Sequence, residues 1–256
     1  MKKLIAILLG ALLLVSTAAC VKVTSNTQEP GEPEEVGDLG ELGEALEGLL
    51  GEVSAQVAGG WTPAEDFTLT EDQKAIFDKA MSELVGVNYV PIACLGTQVV
   101  AGTNYCFLAQ GTVVYPDATP KYMLVYVYAD LTGGANVMNI ADLPIIPNED
   151  GTLSVPEEQL MGGWSYAEAY EITDELSALL NTAAAGLTGA DWIPVAQVGT
   201  QVVAGTNHCV LCQIVPVVPN PEPHYSLVYI YEDLSGGAEL LQTIDFDIGS
   251  LCTYGA

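Results

Sequence analysis

Gly96-Thr97-Gln98-Val99-Val100-Ala101-Gly102-Thr103-Asn104 recurs letter for letter as Gly199-Thr200-Gln201-Val202-Val203-Ala204-Gly205-Thr206-Asn207, an offset of 103 residues (199 − 96 = 103). The flanking landmarks keep that offset. Gly59-Gly60-Trp61 returns as Gly162-Gly163-Trp164, and Asp130-Leu131-Thr132-Gly133-Gly134-Ala135 as Asp233-Leu234-Ser235-Gly236-Gly237-Ala238. A period of this length is the size of a small domain and too long for a solenoid unit. The reading is therefore two tandem copies, 59–148 and 162–256, joined by a linker at 149–161.

Within each copy the signals run in one order. Thr70 and Gln73 have capping-box spacing, with Glu71 and Asp72 placed to favour a helix start. Ile76, Phe77, Ala80, Met81 and Leu84 then form one apolar helical face, and Gly86 closes it. The second copy has Thr173, Asp174 and Glu175, then Leu176, Leu179, Leu180, Ala183 and Leu187, closed by Gly189. Strand-like runs at 89–95 and 105–115 flank the first motif, and runs at 192–198 and 208–218 the second. The proline-rich stretches 116–120 and 219–223 are turns, because proline removes ladder donors. The β-rich runs 122–130 and 225–233 follow, with Tyr126 and Tyr128 (Tyr229 and Tyr231) on one face, a stripe read as sheet packing. Gly133-Gly134 and Gly236-Gly237 turn each chain into a last strand. The expected fold class is α+β: in each copy one helix wrapped by an antiparallel sheet of four to five strands.

The segment from Gln98 to Tyr105 resembles the Gln-x-Val-x-Gly hairpin of the cystatin/stefin family of cysteine-protease inhibitors. A Gly-Gly near the domain start and a late second hairpin, the family's other two marks, have counterparts in both copies. The resemblance implies two tandem cystatin-like domains that block a papain-like protease cleft with a wedge of three segments. In the first copy these are Gly59, Gly60, the tip Gln98, Val99, Val100, Ala101 and Gly102, and Leu131 in the second hairpin. In the second they are Gly162, Gly163, Gln201, Val202, Val203, Ala204, Gly205 and Leu234, with Leu160-Met161 suiting the family's apolar entry segment. The family's second hairpin often carries Pro-Trp or Leu-Pro, where this chain has Leu131-Thr132-Gly133-Gly134.

The hairpin tips make the same point without the family. Two adjacent β-branched residues at the end of a ribbon lie where no core shelters them, and a partner's groove would explain them. Trp61 and Trp164 are read as core.

The first 20 residues read as a targeting segment. Lys2-Lys3 precede the apolar run 4–15 and small residues before Cys20. That ending resembles a bacterial lipobox, with Thr17 in place of the usual leucine, so the expectation is a lipid on Cys20. The alternative is ordinary secretion. Residues 21–58 form an acidic, Gly- and Glu-rich tether, with a marginal helix at most over 39–57 because its glycines each cost about 1 kcal/mol. A flexible dumbbell follows as the expected arrangement.

Net charge is −27 with six lysines and arginines, too few for a basic patch, which argues against nucleic acid and anionic lipid surfaces as partners. Membrane attachment is expected only through the lipid, outside the cytoplasm. Export permits disulfides, and Cys94 and Cys106 stand symmetrically about Val100, a candidate bridge across the hairpin. Gln197 replaces the first of these in the second copy, leaving Cys209, Cys212 and Cys252 without assigned pairing. No Cys/His spacing points to a metal, and no cofactor is implied. His208 and His224, standing where the first copy has Tyr105 and Lys121, are read as strand or surface residues, so no catalytic group is assigned. The functional expectation is reversible inhibition of papain-like cysteine proteases by cleft occlusion. The alternative is a non-inhibitory protein-binding or structural module of the cell envelope.

Overall fold

The computed structural model describes residues 59–156 and 162–252. The leader with Cys20, the tether and Leu160-Met161 lie outside the described residues. In the first repeat β1 (Thr62–Pro63) leads to α1 (Glu71–Met81). The Gln73 amide donates to Thr70 Oγ1 at 3.2 Å, and the Thr70 amide to Gln73 Oε1 at 3.0 Å, a complete capping box. Phe77, Ala80 and Met81 face inward. Four long strands follow: β2 (Val87–Val100), β3 (Gly102–Val113), β4 (Lys121–Ala129) and β5 (Ala135–Asp142). All are antiparallel, in the order β1-β2-β3-β4-β5. The proline-rich stretch separates β3 from β4, and Pro91 falls at a bulge of β2, where a lost donor is tolerated.

A small hairpin, β6 (Ile146–Pro147) with β7 (Leu153–Ser154), precedes the second repeat. There β8 (Ser165–Tyr166), α2 (Asp174–Ala184), β9 (Ala190–Val203), β10 (Gly205–Pro216), β11 (His224–Glu232) and β12 (Ala238–Phe246) repeat the plan. Thr173 caps α2 through the Leu176 amide at 3.2 Å; Leu176 stands where the first repeat has Gln73, so the reciprocal half of the box is missing.

Side-chain alternation along the central strands decides the architecture. On β4, Met123, Val125 and Val127 pack with Phe77, Ala80 and Met81 of α1. The residues between them, Tyr122, Leu124 and Tyr126, are fully buried in a second cluster shared with Tyr225, Leu227 and Tyr229 of β11. On the far side of β11, Val228 and Ile230 meet Leu176 and Leu180 of α2. Each sheet is thus covered on both faces, by its own helix and by the other sheet, giving the layers helix, sheet, sheet, helix.

The expected α+β class, two cystatin-like domains each a helix wrapped by its own sheet, is overturned. The protein is mostly β, with two 11-residue helices and two five-stranded antiparallel sheets among the described residues. The physical reason is the second apolar face of each sheet, which neither helix covers and only the other sheet buries. The dumbbell falls with it, because the described residues of both repeats belong to one compact unit.

Buried hydroxyls stitch the two sheets together. Tyr126 donates to the Ile248 carbonyl at 2.6 Å, and Tyr229 donates to the Ile145 carbonyl at 3.0 Å. The donors are 103 residues apart (229 − 126 = 103), as are the acceptors (248 − 145 = 103), so the halves are related by an internal pseudo-twofold. Tyr122 reaches the Ala167 carbonyl at 3.0 Å, Tyr166 the Leu143 carbonyl at 2.8 Å, and Gln213 Nε2 the Ala64 carbonyl at 2.5 Å. Trp61 packs edge-on against Tyr126 and Trp164 against Tyr229, at 5.5 and 5.3 Å between ring centres, so both tryptophans line this core.

The expected Cys94–Cys106 bridge is not formed. A bulge between Cys94 and Gly96 shifts the register, pairing Cys94 with Phe107 and Gly96 with Cys106. Cys94 then points to the helix side and Cys106 to the sheet–sheet core. Cys94, Cys106, Cys209, Cys212 and Cys252 are all free thiols. Burial pushes Cys94 up to about 11 and Cys212 up to about 12, which keeps both protonated and unreactive.

Candidate functional site

Three segments of each repeat meet at one end of its sheet. The β2–β3 ribbon turns at Ala101, with Val100 opposite Gly102. One strand over, Ala129 at the end of β4 pairs with Thr103, which places the 130–134 turn beside the ribbon tip. On the other side β1 pairs Thr62 with Thr97, bringing Gly59-Gly60 to the same end. The second repeat reproduces this through Ser165 and Thr200, Val203 and Gly205, and Thr206 and Glu232.

The predicted contact residues divide into two groups. Val99, Val100 and Leu131 are exposed at 47%, 41% and 86%, and Val202, Val203 and Leu234 at 73%, 42% and 87%. Consecutive strand residues point to opposite faces, so exposure of both valines means that the ribbon extends past its cover on either side. Ala101 and Ala204 are exposed at the turn, and Gly59 and Gly162 at the outer segment, while Gly60 and Gly163 are half-buried.

Gln98 belongs to the other group. It is 8% exposed, and its Nε2 donates to the Gly59 carbonyl at 2.8 Å while its Oε1 accepts from Asn104 Nδ2 at 2.7 Å. Gln201 does the same with Gly162 and Asn207, at 2.8 Å in both bonds. The glutamine is therefore an internal clamp that ties the Gly-Gly segment to the ribbon. Gly102 and Gly205 are also turned inward. A Cβ at Gly102 would run into the Ala129 carbonyl and come 2.8 Å from the Tyr128 ring, and φ there is +132°. The close approach that requires glycine is to the chain's own β4.

Two further clamps went unread in the sequence. Tyr128 donates to the Ala101 carbonyl and Tyr231 to the Ala204 carbonyl, both at 2.6 Å, fixing each tip to the neighbouring strand. Asp130 Oδ1 accepts from the Thr132 amide and hydroxyl at 2.7 and 2.6 Å and from the Gly134 amide at 2.9 Å; Asp233 repeats the pattern with Ser235 and Gly237. The signal was present: Asn104, Tyr128 and Asp130 all recur at the same offset. These hydrogen bonds, led by the Thr132 hydroxyl, hold Asp130 below the ordinary carboxylate value, and those led by Ser235 do so for Asp233. The turns are therefore built on ionised carboxylates at neutral pH.

The two histidines are placed apart. His208 lies 3.0 Å from Glu232, at the end of β11 that leads into the second edge, and 3.0 Å from Gln197, whereas His224 sits 3.8 Å from Asp245 at the far end of the second sheet. Among the described residues no group of three or more His, Cys, Asp or Glu side chains comes together as a metal site. No described helix is long and apolar enough to cross a membrane. No family model matches the chain, and no curated protein matches it.

Proposed function

We propose that the chain is an exported, Cys20-anchored inhibitor of papain-like cysteine proteases that occludes the substrate cleft with the ends of its sheets. The observation that carries this reading is the row of exposed apolar residues Val99, Val100 and Leu131 on two adjoining segments, the ribbon tip and the 130–134 turn, repeated as Val202, Val203 and Leu234. Exposed valines and leucines on a clamped backbone suit a hydrophobic groove, because little conformational entropy remains to be lost on docking. The resemblance of the Gln-Val-Val-Ala-Gly hairpin to that of cystatins supports the choice of groove. A papain-type protease titrated with the full chain is expected to lose activity, and Val99→Asp combined with Val202→Asp to restore it. Undiminished protease activity at tens of micromolar chain would contradict the proposal.

One observation favours a second reading. The 130–134 turn offers Leu131 where an aromatic anchor would supply about 2 kcal/mol or more at an interface hot spot. A non-inhibitory protein-binding module of the cell envelope uses the same edges without needing that anchor. It predicts that the two valine substitutions abolish capture of an envelope protein while protease activity is untouched throughout.

A further inference from the structure

The two edges do not lie side by side. Gln213 pairs with Tyr225 near the start of β11, at the end of the second sheet away from its ribbon tip, yet it bonds to Ala64 beside β1 at the ribbon end of the first sheet. Tyr122, at the corresponding start of β4, bonds to Ala167 beside β8 at the ribbon end of the second sheet. The far end of each sheet therefore lies over the ribbon half of the opposite sheet, at Leu95 and Val198, and the two ribbon tips project past the shared core at its opposite ends. A strand of nine residues such as β4 spans about 30 Å, which sets the scale of the separation between the edges. An interface of ordinary size covers about 800 Å² on one partner, a patch about 30 Å across, so each edge takes a partner without reaching the other.

From this arrangement we infer that the protein is a rigid two-ended binder that holds two partner molecules at once, one on Val99–Val100–Leu131 and one on Val202–Val203–Leu234. The partner class is the one proposed above, a papain-like protease with an apolar cleft, and the inference rests on that reading. The shared core makes the two ends a fixed spacer: neither can swing round to meet the same cleft. Two edges then raise the number of molecules bound and not the affinity for a single one, unlike two modules on a flexible tether. The edges are also unequal, since Val202 stands 73% exposed against 47% for Val99.

The test is the mass of the complex formed by the full chain with a papain-type protease whose active-site thiol has been alkylated by a small group, read by light scattering on a sizing column. The expected result is two proteases per chain. Val99→Asp and Val202→Asp, both at exposed positions that spare the core, each reduce this to one, and the remaining site keeps its affinity within about two-fold. One protease per chain for the wild type, or loss of all binding on changing a single edge, overturns two-ended binding while leaving groove docking intact. No complex at all overturns both.

Discussion

At the scale of single residues, the repeated motif has two jobs divided among neighbours. Val99 and Val100 face outward, and Gln98 is turned in to hold Gly59. Replacing Gln98 by alanine leaves the Asn104 amide without this acceptor in a nearly closed site, at a cost of about 1–3 kcal/mol. It also frees the Gly-Gly segment, so Gln98→Ala is expected to weaken binding at the first edge with Val99 and Val100 unchanged. Chemical denaturation and hydrogen exchange at Gly60 and Trp61 check the two effects. Asp130 gives a pH dependence of defined sign. Its carboxyl titrates below the ordinary 3.8 when folded, so its contribution is complete above that value and disappears as pH falls through the folded midpoint. The 130–134 turn should keep its shape from neutral pH down to about 3.8. An NMR titration of the Asp130 and Asp233 carboxyls, with midpoints below the free-peptide value, is the check.

Among the elements, the β2–β3 ribbon is the one whose shape is most tightly determined. Gly102 sits against β4 with no room for a Cβ, and the same holds for Gly205 against Glu232 and Tyr231. Gly102→Ala must both strain φ and push β4 away, a cost of at least about 1 kcal/mol that should appear as a lowered Tm. Much of this scale was legible beforehand. The capping box of α1, the proline turns and the long strands follow from Thr70, Gln73 and period-two alternation. What escaped was register. The bulge beside Cys94 turns a symmetric pair of cysteines into residues on opposite faces, and nothing in the spacing announces a bulge. The inward turn of Gln98 escaped because its partners, Gly59 and Asn104, are separated from it by 39 and 6 residues.

At the scale of the molecule, the fold depends on both repeats. Leu95, Leu108, Leu124, Leu143 and Ile145 of the first repeat all belong to the cluster shared with the second sheet. Burying each contributes about 1.5–3 kcal/mol, and together they match the net stability of a typical domain, about 5–15 kcal/mol. The chain should therefore unfold in one calorimetric transition, and either repeat expressed alone should aggregate or stay unfolded. Two separate transitions would contradict a shared core. This dependence was hidden in the sequence by the repeat itself, since two equal copies suggest two independent domains. The sign of it lay in β4, where Tyr122, Leu124 and Tyr126 alternate with Met123, Val125 and Val127, leaving no polar face for solvent.

The central claim is that the ribbon tips and their adjoining turns are the surfaces that dock. Hydrogen exchange of the full chain with and without a papain-type protease tests it directly. Protection confined to residues 98–102 and 130–134, with 201–205 and 233–237, is the predicted result. Protection at the far-end turns 116–120 and 219–223 instead, or none anywhere, would contradict it.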